Sequence, residues 1–194
     1  MIYNNIEKVA AEPYASSMIE TFRAIGYNLE TAVADVIDNS ISAFAKNIYF
    51  NSEWKGSESI ITILDDGCGM DNDELIQAMR PGAKNPLEAR NETASFSQCR
   101  KLIVLSKKEG CKPIYWIWDL DYVKQTSKWE LIRYPIADEY IDVLDKQKSG
   151  TLVVWSELDR VIPSKTLISN EIAKDKFFKQ MDKVKQHLSM TFLR

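Results

Sequence analysis

Several scarcities in this 194-residue chain exclude kinds of chemistry before any motif is considered. There is a single histidine, His187, so neither Ser-His-Asp or Cys-His catalysis nor a multi-histidine metal site is expected. Three cysteines, Cys68, Cys99 and Cys111, lack paired spacing, which is typical of reduced thiols. The sequence shows no signal peptide and no apolar run of membrane length. These features predict a cytoplasmic protein that does not enter a membrane.

The remaining composition is that of an ordinary globular domain. Hydrophobic residues make up 45% of the chain and charged residues 27%, and 194 residues suffice for a substantial core. The net charge of −3 gives no electrostatic footprint for duplex DNA, so direct nucleic-acid binding is not expected. No repeat, low-complexity segment or domain boundary is visible. The sequence therefore predicts one domain over residues 1–194.

A helix over residues 28–45 contains the first candidate site residues. Its apolar residues recur at helical period, and Asp35 and Asn39 lie on the same shoulder of that stripe, four residues apart. A carboxylate there can orient or deprotonate a water, and an amide oxygen is a hard ligand suited to Mg²⁺. A solvated helix edge shows the same pair, so the spacing alone leaves both interpretations open.

The second candidate is the loop over residues 65–70, which follows a β-branched strand over residues 60–64. Glycines at 67 and 69 permit positive φ and close approach of a ligand to the backbone. Asp65, at the strand end, can accept a hydrogen bond from an exocyclic amine. The spacing does not fit a calcium loop. The alternative interpretation is an ordinary turn into the next helix, whose N-terminus Asp71 would cap.

Taken together, these motifs resemble those of the GHKL ATPases, the superfamily of DNA gyrase, the 90-kDa heat-shock chaperones, histidine kinases and MutL. Residues 35–40 resemble the N box, residues 65–70 the first glycine box, and Gly150 with Thr151 the distal Gly-Thr. Residues 80–88 and 93–100 are similar to bacterial stand-alone Hsp90-like ATP-binding proteins. The order of the motifs matches, and the resemblance extends over nearly the whole chain.

The resemblance implies roles at the phosphate end of a nucleotide. Asp35 stands where most members have a glutamate that activates the hydrolytic water, and Asn39 stands at the Mg²⁺-binding position. Aspartate is one methylene shorter than the usual glutamate. This difference is expected to affect the rate of ATP hydrolysis more than nucleotide binding. Lys84 could approach the phosphates, although a solvated lysine fits as well. Thr93 begins a segment whose amides and hydroxyls could face anions.

The resemblance also implies an adenine pocket. Asp65 stands where an aspartate receives the adenine amino group, and Gly67 and Gly69 stand where the backbone passes under the base. Met70 would pack on the adenine. Thr151 would support Asp65 through a water.

One departure from the superfamily is large. A second glycine-rich box, whose amides cradle the phosphates, is expected between Asn91 and Thr93, yet no glycine occurs between Gly82 and Gly110. Either the protein carries this lid and the present sequence omits it, or the lid was lost and triphosphate binding is weak. An intact mass near 22.3 kDa would exclude the first explanation.

The resemblance implies an α+β fold, a two-layer α/β sandwich of the Bergerat type, with a mixed, mostly antiparallel sheet and helices on one face. It implies binding of ATP or ADP with Mg²⁺ and slow ATP hydrolysis coupled to conformational change. A nucleotide-dependent homodimer and a following transducer domain would fit, which would make this chain a fragment of a longer protein. The alternatives are a non-hydrolysing nucleotide switch or interaction module, the catalytic domain of a sensor histidine kinase, and a pocket without nucleotide.

Hydrophobic periodicity and turn-forming residues predict the remaining helices and strands. Further helices are expected over residues 11–25, 138–146 and 171–188, and further strands over residues 46–54, 101–106, 113–119, 128–134 and 151–155. The aromatic residues of the second half lack interleaved Arg and Lys, which favours core packing over base stacking on nucleic acid.

Overall fold

A computed structural model describes residues 7, 9, 11–24, 27–81 and 91–192, without the side chains of residues 91–93. Helices in this part of the chain are α1 (Ala15–Ala24), α2 (Leu29–Ser42), α3 (Asn72–Ala78), α4 (Asn91–Phe96), α5 (Leu120–Thr126), α6 (Asp138–Asp145) and α7 (Glu171–Phe192). The strands are β1 (Ile48–Glu53), β2 (Ile60–Asp65), β3 (Lys101–Lys107), β4 (Ile114–Asp119) and β5 (Gly150–Ser156).

The strands form one sheet in the order β1-β2-β5-β3-β4, and each neighbouring pair is antiparallel. The register places Asp65 of β2 opposite Thr151 of β5, and Thr151 opposite Ser106 of β3. These three residues therefore form a row across the sheet at one end. The predicted α+β class and the two-layer sandwich are confirmed.

The sheet buries its two faces against different partners. The larger core packs one face against α1, α2, α3, α4, α5 and α7, with Trp155, Phe96 and Phe177 among its fully buried side chains. On the opposite face, Leu144 of α6 packs over inward residues of β3 and β5, Leu105 and Leu152 among them. Most of the helical mass thus lies on the face that carries Asp65, and α6 covers part of the other face.

The helix caps and the hairpin predicted for the first half of the chain are confirmed. Asn28 caps α2, and its side-chain oxygen accepts a hydrogen bond from the Thr31 amide at 2.8 Å. Asp71 and Glu74 form a capping box at the start of α3. Strands β1 and β2 pair as the predicted hairpin. Helix α2 ends three residues earlier than predicted, at Ser42.

The predicted strand over residues 128–134 is wrong. Ile132 makes a single bridge to Ile117 of β4, through two backbone hydrogen bonds of 3.0 Å, and the flanking residues do not extend the ladder. Beyond that bridge, side-chain contacts hold the segment: Arg133 lies over Trp116, and Trp129 packs edge-on against Trp118. The aromatic and β-branched content that suggested a strand serves packing along the sheet edge.

Arg23 ties α1 to the far end of α4. Its Nη1 donates to the carbonyl oxygens of Phe96 and Cys99, both at 2.8 Å. Its Nη2 donates to the two carboxylate oxygens of Asp159 at 2.7 and 2.6 Å. Since Arg23 is 6% exposed, the contacts fix α4 within the core.

Within the described ranges, none of the helices combines the length and the apolar character needed to cross a membrane.

Candidate nucleotide-binding site

A cavity of about 330 Å³ lies between α2, the loop after β2, α3 and the helix-facing side of β3 and β5. Its walls are largely apolar. The apolar lining residues are Val36, Ala43, Met70, Leu75, Ala78, Met79, Leu102, Val104 and Val153. Asn39, Ser40, Ser42, Gln77, Ser95 and Thr151 add polar groups, and Cys68 and Gly69 complete the lining. An apolar cavity with a few placed polar groups is typical of a site for a small molecule or cofactor.

Asp65 is 5% exposed. It does not itself line the cavity, but two residues that hydrogen-bond to it, Ser40 and Thr151, do. Its Oδ1 accepts hydrogen bonds from the amides of Gly67 at 2.9 Å and Thr151 at 3.1 Å. Its Oδ2 accepts from the Ser40 hydroxyl at 2.8 Å. A carboxylate offers about four acceptor positions, so these three bonds leave one position, on Oδ2, for a ligand donor.

Burial raises the pKa of Asp65, because water no longer solvates the ionised carboxylate. The hydrogen bonds from Gly67, Ser40 and Thr151 oppose this shift, since each favours the charged form. A further hydrogen-bond donor from a ligand would favour the charged form in the same way.

Behind Asp65, a chain of hydroxyls fixes the loop to the sheet. The Met70 amide donates to Ser106 Oγ at 2.8 Å, and Ser106 Oγ and Thr151 Oγ1 are 3.0 Å apart. Thr151 thus contacts Asp65 directly through its amide, while its hydroxyl bonds to Ser106. Met70 is half-buried and lines the cavity.

The two loop glycines are needed for close packing. Gly67 has Ala43 O and Asp65 Oδ1 at 2.9 and 3.0 Å from where a Cβ would lie. Gly69 has φ +67°, and a Cβ there would collide with the carbonyl group of Lys107 on β3. The backbone at Gly69 lines the cavity; Gly67 does not, and lies behind Asp65.

The second loop carboxylate, Asp66, has a structural role. Its Oδ1 accepts from the amides of Lys46 at 2.7 Å and Asn47 at 2.9 Å, and its Oδ2 accepts from Asn47 Nδ2 at 2.8 Å. These bonds lower the pKa of Asp66. Asp66 therefore holds the turn between α2 and β1 and does not line the cavity.

Helix α2 carries Asp35 and Asn39, the two residues expected to act at the phosphates of a nucleotide. Asn39 is exposed and lines the cavity. Asp35, one turn earlier on the same side, is half-buried and lies outside the cavity lining. Within the described residues, no three His, Cys, Asp or Glu side chains form a group that could hold a metal ion by themselves. A metal here would depend on Asn39 together with ligand oxygens and water, which suits Mg²⁺.

Two candidates cannot be placed. Lys84 lies outside the described residues, as does the side chain of Thr93, whose backbone belongs to α4. Ser95 of the same helix does line the cavity, so α4 forms part of its wall.

Sequence reasoning assigned no role to the two serines that organise Asp65. Ser40 is a buried hydroxyl on the apolar stripe of α2, and a polar residue at a core position is a signal that could have found it. Ser106 is the buried polar end of an otherwise apolar strand. Its contact with Thr151 spans 45 residues and needs the sheet register.

Comparison with known proteins points the same way as the geometry. A family model described as "Histidine kinase-, DNA gyrase B-, and HSP90-like ATPase" matches residues 27–151, which is more than half of the chain. The match begins just before α2 and ends at Thr151, so it covers the residues that line the cavity except Val153. A search of curated proteins finds no match.

Proposed function

Since the chain belongs to the family of histidine kinase-, DNA gyrase B- and HSP90-like ATPases, we propose that its cavity binds the adenine of ATP or ADP and that the domain hydrolyses ATP slowly with Mg²⁺. The observation that carries the adenine assignment is Asp65, a buried carboxylate with one acceptor position left, whose hydrogen-bond partners Ser40 and Thr151 line the apolar cavity. An exocyclic amino group supplies the missing donor, and the apolar walls accept the ring faces.

The pocket is prepared for this contact before any ligand arrives. Ser40, Gly67 and Thr151 already orient the carboxylate, so little side-chain freedom is lost on binding. A ring lacking the amine would leave the last acceptor position of Asp65 buried and unsatisfied. Discrimination against such a ring should therefore be strong, as it is wherever a buried polar group loses its partner.

At the phosphate end, the proposal assigns Asn39 to Mg²⁺ and Asp35 to the attacking water. Asn39 lines the cavity and offers a hard amide oxygen. Mg²⁺ would supply charge neutralisation at the phosphate oxygens. Asp35, half-buried one turn away, would accept a proton from water or orient it. The homodimer, the transducer domain, the Hsp90-like subtype and the cytoplasmic location stay predictions from the resemblance.

Asp35→Asn tests the hydrolytic part of the proposal. We expect ATP turnover to fall about 100-fold, because general-base assistance contributes about 10²–10⁴-fold, while the Kd for ADP stays unchanged. The measurement is phosphate release under saturating ATP beside calorimetric ADP titration. Asp38→Asn is the matched control, since Asp38 is an exposed aspartate on the same helix.

A non-hydrolysing nucleotide switch is the second candidate, and one observation favours it. Asp35 is shorter than the usual glutamate and does not reach the cavity lining, whereas Asn39 does. If the unmodified chain releases phosphate no faster than Asp35→Asn, the proposed ATPase activity is wrong. The result would favour a non-hydrolysing nucleotide switch.

Adenosine binding should depend on pH through Asp65. Burial raises the pKa of this carboxyl above its ordinary value of 3.8. A raised acid pKa means that its contribution to folding stability is fully present below 3.8 and is lost as pH rises through the folded-state pKa. The amine of adenosine stabilises the ionised form, so affinity should rise with pH over that window and binding should release protons. Calorimetry in buffers of different ionisation enthalpy measures that release, and its absence throughout the window would contradict the assignment.

A further inference from the structure

Ser149 joins the two chain segments that supply hydrogen bonds to Oδ1 of Asp65, although its side chain does not line the nucleotide cavity. Its hydroxyl donates to the carbonyl oxygen of Gly67 at 2.7 Å, across 82 positions of the chain. Gly67 lies in the loop after β2, whereas Ser149 directly precedes β5. One side-chain hydrogen bond therefore ties that loop to the start of β5.

Both amides that hydrogen-bond to Asp65 Oδ1 lie close to this tie. The Gly67 amide donates at 2.9 Å, and it belongs to the residue whose carbonyl oxygen Ser149 holds. The Thr151 amide donates at 3.1 Å, and it lies two residues after Ser149. The Ser149 hydroxyl thus constrains the spacing between the two donors. Because hydrogen-bond donors prefer to lie near the plane of an sp² oxygen, this spacing also constrains the direction in which Oδ2 faces.

The segment that carries Ser149 is itself held in place. Lys107 of β3 is buried, and its Nζ donates to the carbonyl oxygens of Asp145 at 2.8 Å and Gln147 at 2.9 Å. In the amide orientation that satisfies its neighbours, the side-chain nitrogen of Gln147 donates to the carbonyl oxygens of Asp65 at 3.0 Å and Ser149 at 3.1 Å. These bonds fix the connection between α6 and β5 against the sheet, so the backbone that carries the Ser149 hydroxyl is held in place.

We propose that Ser149 is a positioning residue of the nucleotide site, whose hydroxyl keeps the Asp65 carboxylate turned so that Oδ2 accepts a hydrogen bond from the amino group of adenine. The inference rests on the proposed function, because it concerns the carboxylate that would receive this amine. Without the hydroxyl, the loop after β2 and the start of β5 can move apart and the carboxylate can turn. The last acceptor position then no longer faces the amine, while the contacts of the ring with the apolar walls stay in place. Ser149 therefore acts on selectivity for the amine more than on affinity for the purine ring.

The test compares ADP with purine riboside 5′-diphosphate, which lacks only the amino group of the base, by calorimetric titration into the full chain and its variants. The unmodified chain should bind ADP about tenfold or more tightly than the analogue. Ser149→Ala should lower the affinity for ADP about fivefold to tenfold and change the affinity for the analogue little, so the ratio falls. Ser149→Thr keeps a hydroxyl and should restore the ratio. Ser189→Ala is the matched control, because it removes a serine hydroxyl that also donates to a backbone carbonyl oxygen at 2.8 Å but lies in α7.

The outcomes separate this inference from the proposed function. If the unmodified chain binds neither ligand, or binds both equally, the adenine assignment of Asp65 is wrong and the role of Ser149 falls with it. If the unmodified chain prefers ADP and Ser149→Ala keeps the same ratio, the proposed function stands and the positioning role is wrong. Equal weakening of both ligands in Ser149→Ala, with a lower melting temperature, would also contradict the inference, because a purely structural hydroxyl affects both ligands alike.

Discussion

Replacing Asp65 by asparagine is expected to abolish adenine-nucleotide binding while the fold stays in place. An amide oxygen at the Oδ1 position still accepts from the amides of Gly67 and Thr151. The amide nitrogen then occupies the Oδ2 position, where the Ser40 hydroxyl can reverse and accept from it. A donor now faces the adenine amino group, so two donors meet without an acceptor. We expect the affinity for ADP to fall about 100-fold or more.

The measurement is calorimetric titration of ADP and of a non-hydrolysable ATP analogue, each with Mg²⁺. Asp66→Asn is the matched control, because Asp66 is the next residue and its carboxylate hydrogen-bonds to Lys46 and Asn47, which do not line the cavity. That variant should lose some stability but keep its affinity. If Asp65→Asn binds ADP as the unmodified chain does, Asp65 is not the adenine ligand and the proposed function loses its main support.

Arg23→Met is expected to lower the free energy of unfolding by about 3 kcal/mol. The substitution keeps an apolar chain of similar length but removes four hydrogen bonds. The carbonyls of Phe96 and Cys99 lose their side-chain donor inside the core, and Asp159 loses its bidentate partner. Asp159 is partly exposed and has Arg100 Nη1 at 3.8 Å, which limits the loss.

Urea denaturation followed by circular dichroism measures this change. Arg80→Met serves as the comparison, because Arg80 is exposed and forms no ion pair within the described residues. Its effect should stay within about 0.5 kcal/mol. If Arg23→Met lowers the free energy of unfolding by less than about 1 kcal/mol, the structure relaxes around the missing guanidinium. The hydrogen bonds of Arg23 would then add little stability.

Short-range patterns made α2, its cap and the β2 strand predictable, because each depends on residues a few positions apart. The same holds for the placement of Asp65 at a strand end. Its surroundings were not predictable in this way. The bonds from Thr151 and the chain through Ser106 depend on the β2–β5–β3 register, which joins residues 86 and 45 positions apart.

The wrong strand over residues 128–134 has a related cause. β-branched and aromatic residues favour a strand only where a neighbouring backbone is available for pairing. Here β4 accepts one bridge at Ile132, and the side chains of Trp129 and Arg133 pack instead. The site roles predicted for Lys84 and Thr93 stay predictions, since their side chains lie outside the described residues.

The close approach of Gly69 to β3 bears on how homologous sequences should be interpreted. A side chain at this position would collide with the carbonyl group of Lys107, and that conflict exists whether or not a nucleotide is bound. Selection for folding alone would therefore preserve this glycine in a homologue that has lost its ligand. Asp65 is not constrained in the same way, because an asparagine would still accept from the amides of Gly67 and Thr151 once no ligand amine needs an acceptor. Asparagine at this position, with the glycine retained, is the expected mark of a degenerate member of the family.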